Sequence, residues 1–528
     1  MGLNLTKYHT SVYTIFVKTN DDDGYILVHG YTGAIDFVNN RIAAWLRQGG
    51  GYRETNSNDL GIQESTIDVL IKRGYLTEKS PFEERAKVAE MANIFHQRDS
   101  RKSNFLFLVA YDCNFRCPYC FENAISSNGK GWSKKVFTRD AVDRAYAAME
   151  EIEPDKSQHV KTITLYGGEP LLIENKSIIE YIVENGIERG YNFKAITNGY
   201  DVDQFLHLLG PGKIGRLQIT IDGKKEHHNA RRTHYLYGNS YDKIMQNVDL
   251  ALKMGVVVNI RINTDLENFE HLNELNHDFK RFGFTGYKTF SVSSSLIHGG
   301  DDMNCNSVMV AASAPAPEPR KAAAAPDLSD PDQYIDFDRE QEWFLGNGQI
   351  QFHDEMDDSS DKIITMNRGK YIDKYISMVK KDPSLEMISC QDFGIRSKIK
   401  NVLEGKGLVY FTSVFCSAQT GMIIFDPCGD LYSCWETVGV DQHIVGTYKD
   451  KVVFDDEELN NWYKRNISTV TACSKCKYAF FCGGGCQAHA LTEGRGYNAP
   501  YCDGYAATFQ RIVPEVYEQF STTQLSNH

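Results

Sequence analysis

From residue 104 to 293, short apolar runs alternate with longer stretches in which apolar residues return every three or four positions. The runs 104–110, 162–166, 193–197, 216–221, 256–262 and 287–292 have the length and the β-branched or aromatic content of buried strands. Between them, 139–151, 176–189, 241–254 and 272–282 carry helical periodicity. This alternation predicts an α/β fold, a parallel sheet with helices on its outer face. In such a sheet, ligands gather at the carboxyl ends of the strands.

The flanking segments read differently. In residues 1–80, the runs 11–17, 25–30 and 34–37 predict short strands, with turns at 20–24 and 30–33. Asn39 or Asn40 is placed to cap a helix through Trp45 and Leu46. A second helix, 65–73, carries Ile67, Leu70 and Ile71 on one face and stops at Gly74. Residues 81–103 are charged and predict a linking helix over 82–97. Residues 299–333 contain an Ala/Pro-rich stretch and read as a flexible insertion without chemistry. The bridging region 334–415 holds one predicted helix at 371–380, and 426–430 reads as a hairpin turn.

Composition narrows the function classes. The 528 residues are 41% apolar with a net charge of −13, enough for several domains and a sizeable core. The acidic balance argues against a general nucleic-acid binder. No run of eighteen apolar residues predicts a membrane span, and the N-terminus does not resemble a signal peptide. Gly2 with Thr6 matches an acylation motif only loosely. Thirteen cysteines in a chain with no secretion signal point to metal ligation in a reducing, cytoplasmic setting.

The cysteines are clustered. Cys113, Cys117 and Cys120 follow the first predicted strand at C-x3-C-x2-C spacing. Three thiolates on one loop can hold three irons of a cubane and leave the fourth open. Zinc usually wants four protein ligands, or three plus a water, and its loops commonly use C-x2-C pairs, a habit that the x3-then-x2 spacing does not fit. The loop resembles the signature of the radical S-adenosylmethionine (SAM) superfamily. That resemblance implies a partial (β/α)6 barrel and a [4Fe–4S] cluster whose open iron chelates SAM. One electron then releases a 5′-deoxyadenosyl radical. It also implies that Tyr119 lies by the adenine and that Gly167-Gly168-Glu169-Pro170 binds the amino group of SAM. In the same family a hydroxyl at the Thr220 position contacts the ribose or carboxylate, and an arginine at Arg232, or its neighbour Arg231, clamps the carboxylate. Asn198 closes the third strand and is expected in the same pocket.

A second array follows: Cys416, Cys428, Cys434, then Cys473-x2-Cys476-x5-Cys482-x3-Cys486, and Cys502. It resembles the SPASM domain of peptide-modifying radical SAM enzymes and gives 416–528 as that domain. Two auxiliary [4Fe–4S] clusters are then implied, three in all. Cys473, Cys476, Cys482 and Cys502 hold one, and Cys416, Cys434 and Cys486 hold the other. Cys428 is either a fourth ligand of the latter, the reading we adopt, or that cluster has an open iron.

Residues 1–80 resemble the winged-helix element that binds leader peptides by adding a strand to a sheet edge. Together the resemblances imply a maturase that crosslinks a ribosomally made precursor peptide through a thioether, C–C or C–O bond. A flavodoxin or ferredoxin would supply its electrons. The alternatives are an anaerobic sulfatase-type maturase, a peptide epimerase and, against the intact motifs, a non-enzymatic cluster protein. The sulfatase branch has an aspartate base directly after the cysteine at the Cys434 position, where this chain has Trp435 and then Glu436. His159, His277 and His353 show no ligand spacing.

Overall fold

The computed structural model describes residues 7–50, 61–120, 134–297 and 366–526. The expected insertion at 299–333, the first part of the bridging region, His353 and the Gly2/Thr6 pair lie outside these residues.

The N-terminal unit comes first. β1 (His9–Thr10) pairs with β5 (Leu76–Thr77), and β2 (Thr14–Lys18), β3 (Gly24–His29) and β4 (Ile35–Asn39) form an antiparallel sheet in that order. Period-2 alternation gives this sheet two buried faces. Ile15, Val17, Ile26, Val28 and Ile35 join the main core. Leu27 and Val38 face the other way, onto a small core with Trp45, Leu46, Ile67 and Leu70. Those residues belong to α1 (Asn40–Arg47) and α2 (Glu64–Arg73). The Asn39 side chain caps α1 by accepting from Ile42 N, and Gly74 ends α2 in the left-handed region at φ 94°. Next, α3 (Pro81–Asp99) starts with a capping box between Ser80 and Glu83 and with proline in its first turn.

The six predicted strands follow as β6 (Asn104–Leu108), β7 (Thr162–Tyr166), β8 (Asn192–Thr197), β9 (Ile214–Thr220), β10 (Val257–Thr264) and β11 (Phe290–Leu296). They pair in sequence order, all parallel. The connecting helices include α4 (Arg139–Ile152), α5 (Lys176–Glu188), α6 (Lys225–Arg231), α7 (Tyr241–Lys253) and α8 (Leu272–Arg281). In α4, Val142, Ala145, Tyr146 and Met149 form the buried stripe that helical spacing requires. After β8 the connection is a 3-10 segment, Val202–Leu208.

Two extensions of this sheet are absent from the local pattern. β12 (Ile388–Ser389) lies parallel to β11, between α9 (Arg368–Lys381) and α10 (Ile395–Leu403). β13 (Met422–Phe425) lies parallel to β6, Met422 opposite Asn104 and Phe425 opposite Phe107. From β13 the sheet continues antiparallel through β14 (Asp430–Tyr432), β15 (Gly446–Thr447) and β16 (Val453–Phe454). The cysteine-bearing C-terminal region thus shares one sheet with the barrel. No described helix is long and apolar enough to cross a membrane.

The N-terminal unit rests on the C-terminal region. Tyr13 Oη donates to Ser474 O at 2.9 Å, and Gln510 Nε2, on the C-terminal helix α11 (Tyr505–Ser526), donates to Phe16 O at 3.1 Å. A buried carboxylate on α3 ties the same unit to the body. Glu84 accepts from Ser11 Oγ (2.5 Å), Val12 N (3.1 Å) and Tyr31 Oη (3.0 Å). Glu84→Ala strands those donors, at about 1–3 kcal/mol for a buried unsatisfied group. We expect a lower melting temperature and faster limited proteolysis of residues 1–80, with the barrel core unaffected.

Candidate active site at the carboxyl ends of the strands

Register decides which residues meet. Leu108 pairs with Tyr166, so the cysteine loop and the Gly167-Gly168-Glu169 turn leave the sheet side by side. Thr197 pairs with Ile219, and Thr220 with Arg261. Asn198 and the segment after Thr220 therefore emerge at the same end.

The cysteine loop is fixed on two sides. Toward β7, Gly168 N donates to Ala110 O and Glu169 N to Asp112 O, both at 2.9 Å. A Cβ on Gly168 would stand 2.3 Å from Asp112 O, and one on Gly167 would stand 2.3 Å from Ala110 O. These glycines serve backbone contact with the cysteine loop itself, a role the ligand-based reading of the motif does not contain. Toward α6, Arg116 N donates to Thr233 O (3.0 Å) and Tyr235 N to Asn114 O (2.9 Å).

Glu169 is almost fully buried and joins two strand ends. It accepts from Leu171 N (2.8 Å), Thr197 Oγ1 (2.6 Å) and Asn198 N (2.6 Å). Burial pushes its pKa up to about 7, opposed by those donors. Asn198 Nδ2 donates to Asn114 Oδ1 at 2.7 Å and lies 3.9 Å from Cys113 Sγ, so it borders the cysteine loop.

Opposite lies a second buried group. Tyr119 Oη donates to Asp222 and accepts from Arg232 Nη1 at 3.0 Å. Asp222 also accepts from Asn263 N at 3.0 Å. The structure separates the two adjacent arginines. Arg231 turns to Asp265 (2.5 Å) and Glu267 (3.2 Å), while Arg232 faces Tyr119 and the Phe115 ring. Thr220 is buried at the end of β9. Asp222 and Asn263 were not singled out by sequence reasoning; a polar pair at the ends of β9 and β10 was the available signal.

The thiols fit an iron–sulfur cluster by the chemistry of the donor set. Burial raises the Cys113 thiol well above its ordinary value, Glu169 raises it further, and Cys117 and Cys120 add to the effect. Buried thiols that oppose each other's ionisation become stable thiolates when a cationic cluster core binds them. Among the described residues, no three His, Cys, Asp or Glu side chains converge tightly enough for a single metal ion. Thiolates on one zinc stand about 4 Å apart, whereas a cubane holds them at separate corners.

The C-terminal cysteines divide into two electrostatic neighbourhoods. Burial raises Cys434, with Cys486 and Cys416 adding to it. Burial raises Cys473, with Cys476, Cys482 and Cys502 adding to it. The Cys482–Cys486 turn brings both sets together. Its three glycines all have positive φ, and a Cβ on Gly485 would stand 1.7 Å from Tyr501 O. The charged groups acting on the Cys428 thiol are Asp426 and Lys135. Burial, then Asp426, pushes its thiol up to about 11, with Lys135 acting against them. Its turn faces the first cysteine loop, where Tyr111 Oη donates to Asp426 Oδ2 at 2.9 Å.

The histidines have ordinary roles. His159 is buried between Tyr191 Oη (2.5 Å) and Glu153 O (2.6 Å), and His277 is exposed.

The carboxyl end of the parallel sheet thus gathers three cysteines, a glycine turn and a clustered tyrosine, aspartate and arginine. Residues 107–279 match the Radical SAM superfamily. The chain carries a radical SAM domain, with SAM and a [4Fe–4S] cluster as its implied cofactors. A cysteine-type anaerobic sulfatase-maturating enzyme from Clostridium perfringens (strain 13 / Type A) is 24% identical over 33% of this chain. The match spans less than half, 46%, of that relative's length. A serine-type anaerobic sulfatase-maturating enzyme from Bacteroides thetaiotaomicron is 22% identical over 79% of this chain and 90% of its own length. Among solved structures, native anSMEcpe with bound AdoMet has the same fold at a TM-score of 0.52, with 16% identity over 80% of this chain and 98% of its own. The same protein with bound AdoMet and Cp18Cys peptide gives a TM-score of 0.51 with 15% identity over 80% of this chain and 99% of its own.

Two outcomes test the site. If Cys113, Cys117 and Cys120 hold the implied cluster, Cys117→Ala should abolish cluster iron at this loop and all deoxyadenosine formation. If Arg232 clamps the SAM carboxylate, Arg232→Met should weaken SAM binding about tenfold or more, as loss of a charge-assisted contact does. Arg231→Met should lower the melting temperature and leave SAM affinity within about threefold. Equal effects on SAM affinity would contradict the separation of the two side chains.

Proposed function

We propose that this chain is a radical SAM maturase that crosslinks a ribosomally made precursor peptide. One feature supports this above others: an N-terminal sheet packed directly on the cysteine-rich region, with its edge strand β4 carrying the 45% exposed Phe37. A leader segment added at that edge would tether the core peptide beside the strand ends.

Cys113, Cys117 and Cys120 would hold the [4Fe–4S] cluster, which would supply one-electron reductive cleavage of SAM when bound. The chain's part is binding and orientation. Gly167 and Gly168 present backbone toward the amino group of SAM, and Arg232 offers a fork to its carboxylate. Tyr119, held by Asp222 and Arg232, forms one wall of the pocket. Cys473, Cys476, Cys482 and Cys502, and separately Cys416, Cys434 and Cys486, would hold auxiliary clusters. An acidic flavodoxin or ferredoxin is the electron donor of this reading.

A sulfatase-type maturase is the second reading, favoured by the likeness to the two sulfatase-maturating enzymes. Against it stands the residue after Cys434. Trp435 sits 6.0 Å from the Tyr166 ring at the end of β7, and its Nε1 donates to Glu436 at 3.1 Å. An indole occupies the place where that branch has its base.

Anaerobic co-expression with candidate precursor peptides, followed by fragmentation, tests the proposal. The expected product has lost two hydrogens per modified motif and resists fragmentation between the joined residues. An aldehyde on a single Cys or Ser would replace this reading with the second. Phe37→Asp should weaken precursor binding at least about tenfold, as loss of an apolar anchor does, while peptide-free SAM cleavage is unchanged.

A further inference from the structure

The cysteine-rich region buries a cation that the proposed reaction does not use. Arg465 is 1% exposed. Its Nη1 donates to Gly485 O at 3.2 Å, and Nη2 donates to Gly484 O and Ala499 O, both at 2.9 Å. Its Nε is buried with no hydrogen-bond partner among the described residues. A guanidinium stays charged, and a buried charge without a counter-charge costs several kcal/mol. Its hydrogen bonds go to neutral carbonyls.

Four thiols act on it electrostatically. Burial lowers the Arg465 pKa, and Cys473, Cys486, Cys416 and Cys482 act in the opposite direction. Cys473 and Cys482 belong to one thiol set, and Cys416 and Cys486 to the other. The Cβ position of Gly484 stands 3.6 Å from Arg465 Nη1 and 3.6 Å from Cys473 Sγ, so guanidinium and sulfur flank the same glycine. The turn that Arg465 clamps, 483–485, is the segment joining Cys482 to Cys486. Clamping alone would need only a donor. It explains neither a full charge at this depth nor the orphaned Nε.

We propose that Arg465 is a positioning residue shared by two auxiliary iron–sulfur clusters, its fixed charge stabilising the reduced form of both and its Nε–H directed to cluster sulfur. This rests on the two-cluster reading proposed above. The potential of such a cluster follows net charge, hydrogen bonds to its sulfurs and solvent exposure. A buried cation between two clusters favours the extra electron on either, so removing the charge lowers both midpoints. A purely structural clamp would leave them in place.

The test uses the full chain, reconstituted anaerobically, as wild type, Arg465→Lys and Arg465→Gln. Iron and sulfide content, EPR-monitored redox titration and peptide-free SAM cleavage are measured on each. We expect iron for three clusters in the wild type. Arg465→Gln, which keeps a donor and loses the charge, should shift the reduction equilibrium of the auxiliary clusters at least tenfold, about 59 mV lower for one electron. Arg465→Lys should shift it much less, and the midpoint of the SAM-binding cluster should not move. Loss of auxiliary iron in Arg465→Gln but not in Arg465→Lys would equally support the charge requirement. Unmoved midpoints in a fully loaded Arg465→Gln, or equal effects of the two variants, would overturn the proposal. Iron for one cluster in the wild type would overturn the two-cluster reading, and this inference with it.

Discussion

The site depends on one backbone contact, the approach of Gly167 and Gly168 to Ala110 and Asp112. Two parallel strands set it up. Because β6 and β7 run in register from Leu106 opposite Thr164 to Leu108 opposite Tyr166, their outgoing chains must pass each other at once. Any side chain on the second would strike carbonyl oxygens of the first. With glycine there, two hydrogen bonds close between the turn and the loop. Glu169 then reaches β8 through Thr197 and Asn198, and Asn198 returns to Asn114. The first cysteine is thus braced by a ring of bonds crossing three strand ends. A thiol set that resists ionisation when buried needs such bracing, since its geometry must exist before any cluster binds.

Much of this was legible in the chain. The six barrel strands and their helices follow local periodicity, which is the information a sequence carries most directly. Gly74 and the Asn39 cap were readable for the same reason, as each acts within a few residues. The cysteine groups are proposed from spacing together with a family resemblance. The pairing of β13 with β6 was not, since it joins residues about 320 apart and Met422–Phe425 is only four residues long. Short apolar runs carry no address for their partner. The seating of the N-terminal sheet on Ser474 and the C-terminal helix is non-local in the same way. Arg465 was invisible because a lone arginine has no spacing signature. Its meaning lies in burial alone.

Cys428 sits in a turn whose place in the fold is set by strand pairing as well as by spacing. It lies six residues before Cys434, and sequence proximity favours a shared cluster. β13 is bound to the barrel, so the turn after Phe425 opens at the carboxyl end of the sheet, beside Tyr111. β14 then carries the chain back before Cys434 is reached. Cys434 follows β14 and precedes Trp435, which lies 6.0 Å from Tyr166 at that same end of the sheet, while Asp426 and Lys135 act on the Cys428 thiol.

The shared sheet also bears on how the two ends of the chain act together. Had the C-terminal region been tethered by a linker, the distance from the first cysteine loop to the other thiols would be free to vary. Instead, Asp426 accepts from Tyr111, two residues before Cys113, and from Cys428 N and Asp430 N. Tyr448 Oη donates to the Asp426 carbonyl at 2.5 Å. With Gly429 N also donating to that carbonyl at 3.2 Å, a buried aspartate accepts from five donors through its side chain and its carbonyl, and is rigid in the way a hinge is not. Trp435 beside Tyr166 adds an aromatic contact across the same seam. The barrel mouth and the cysteine-rich region therefore form one wall, and a substrate at the strand ends would meet both at fixed separation.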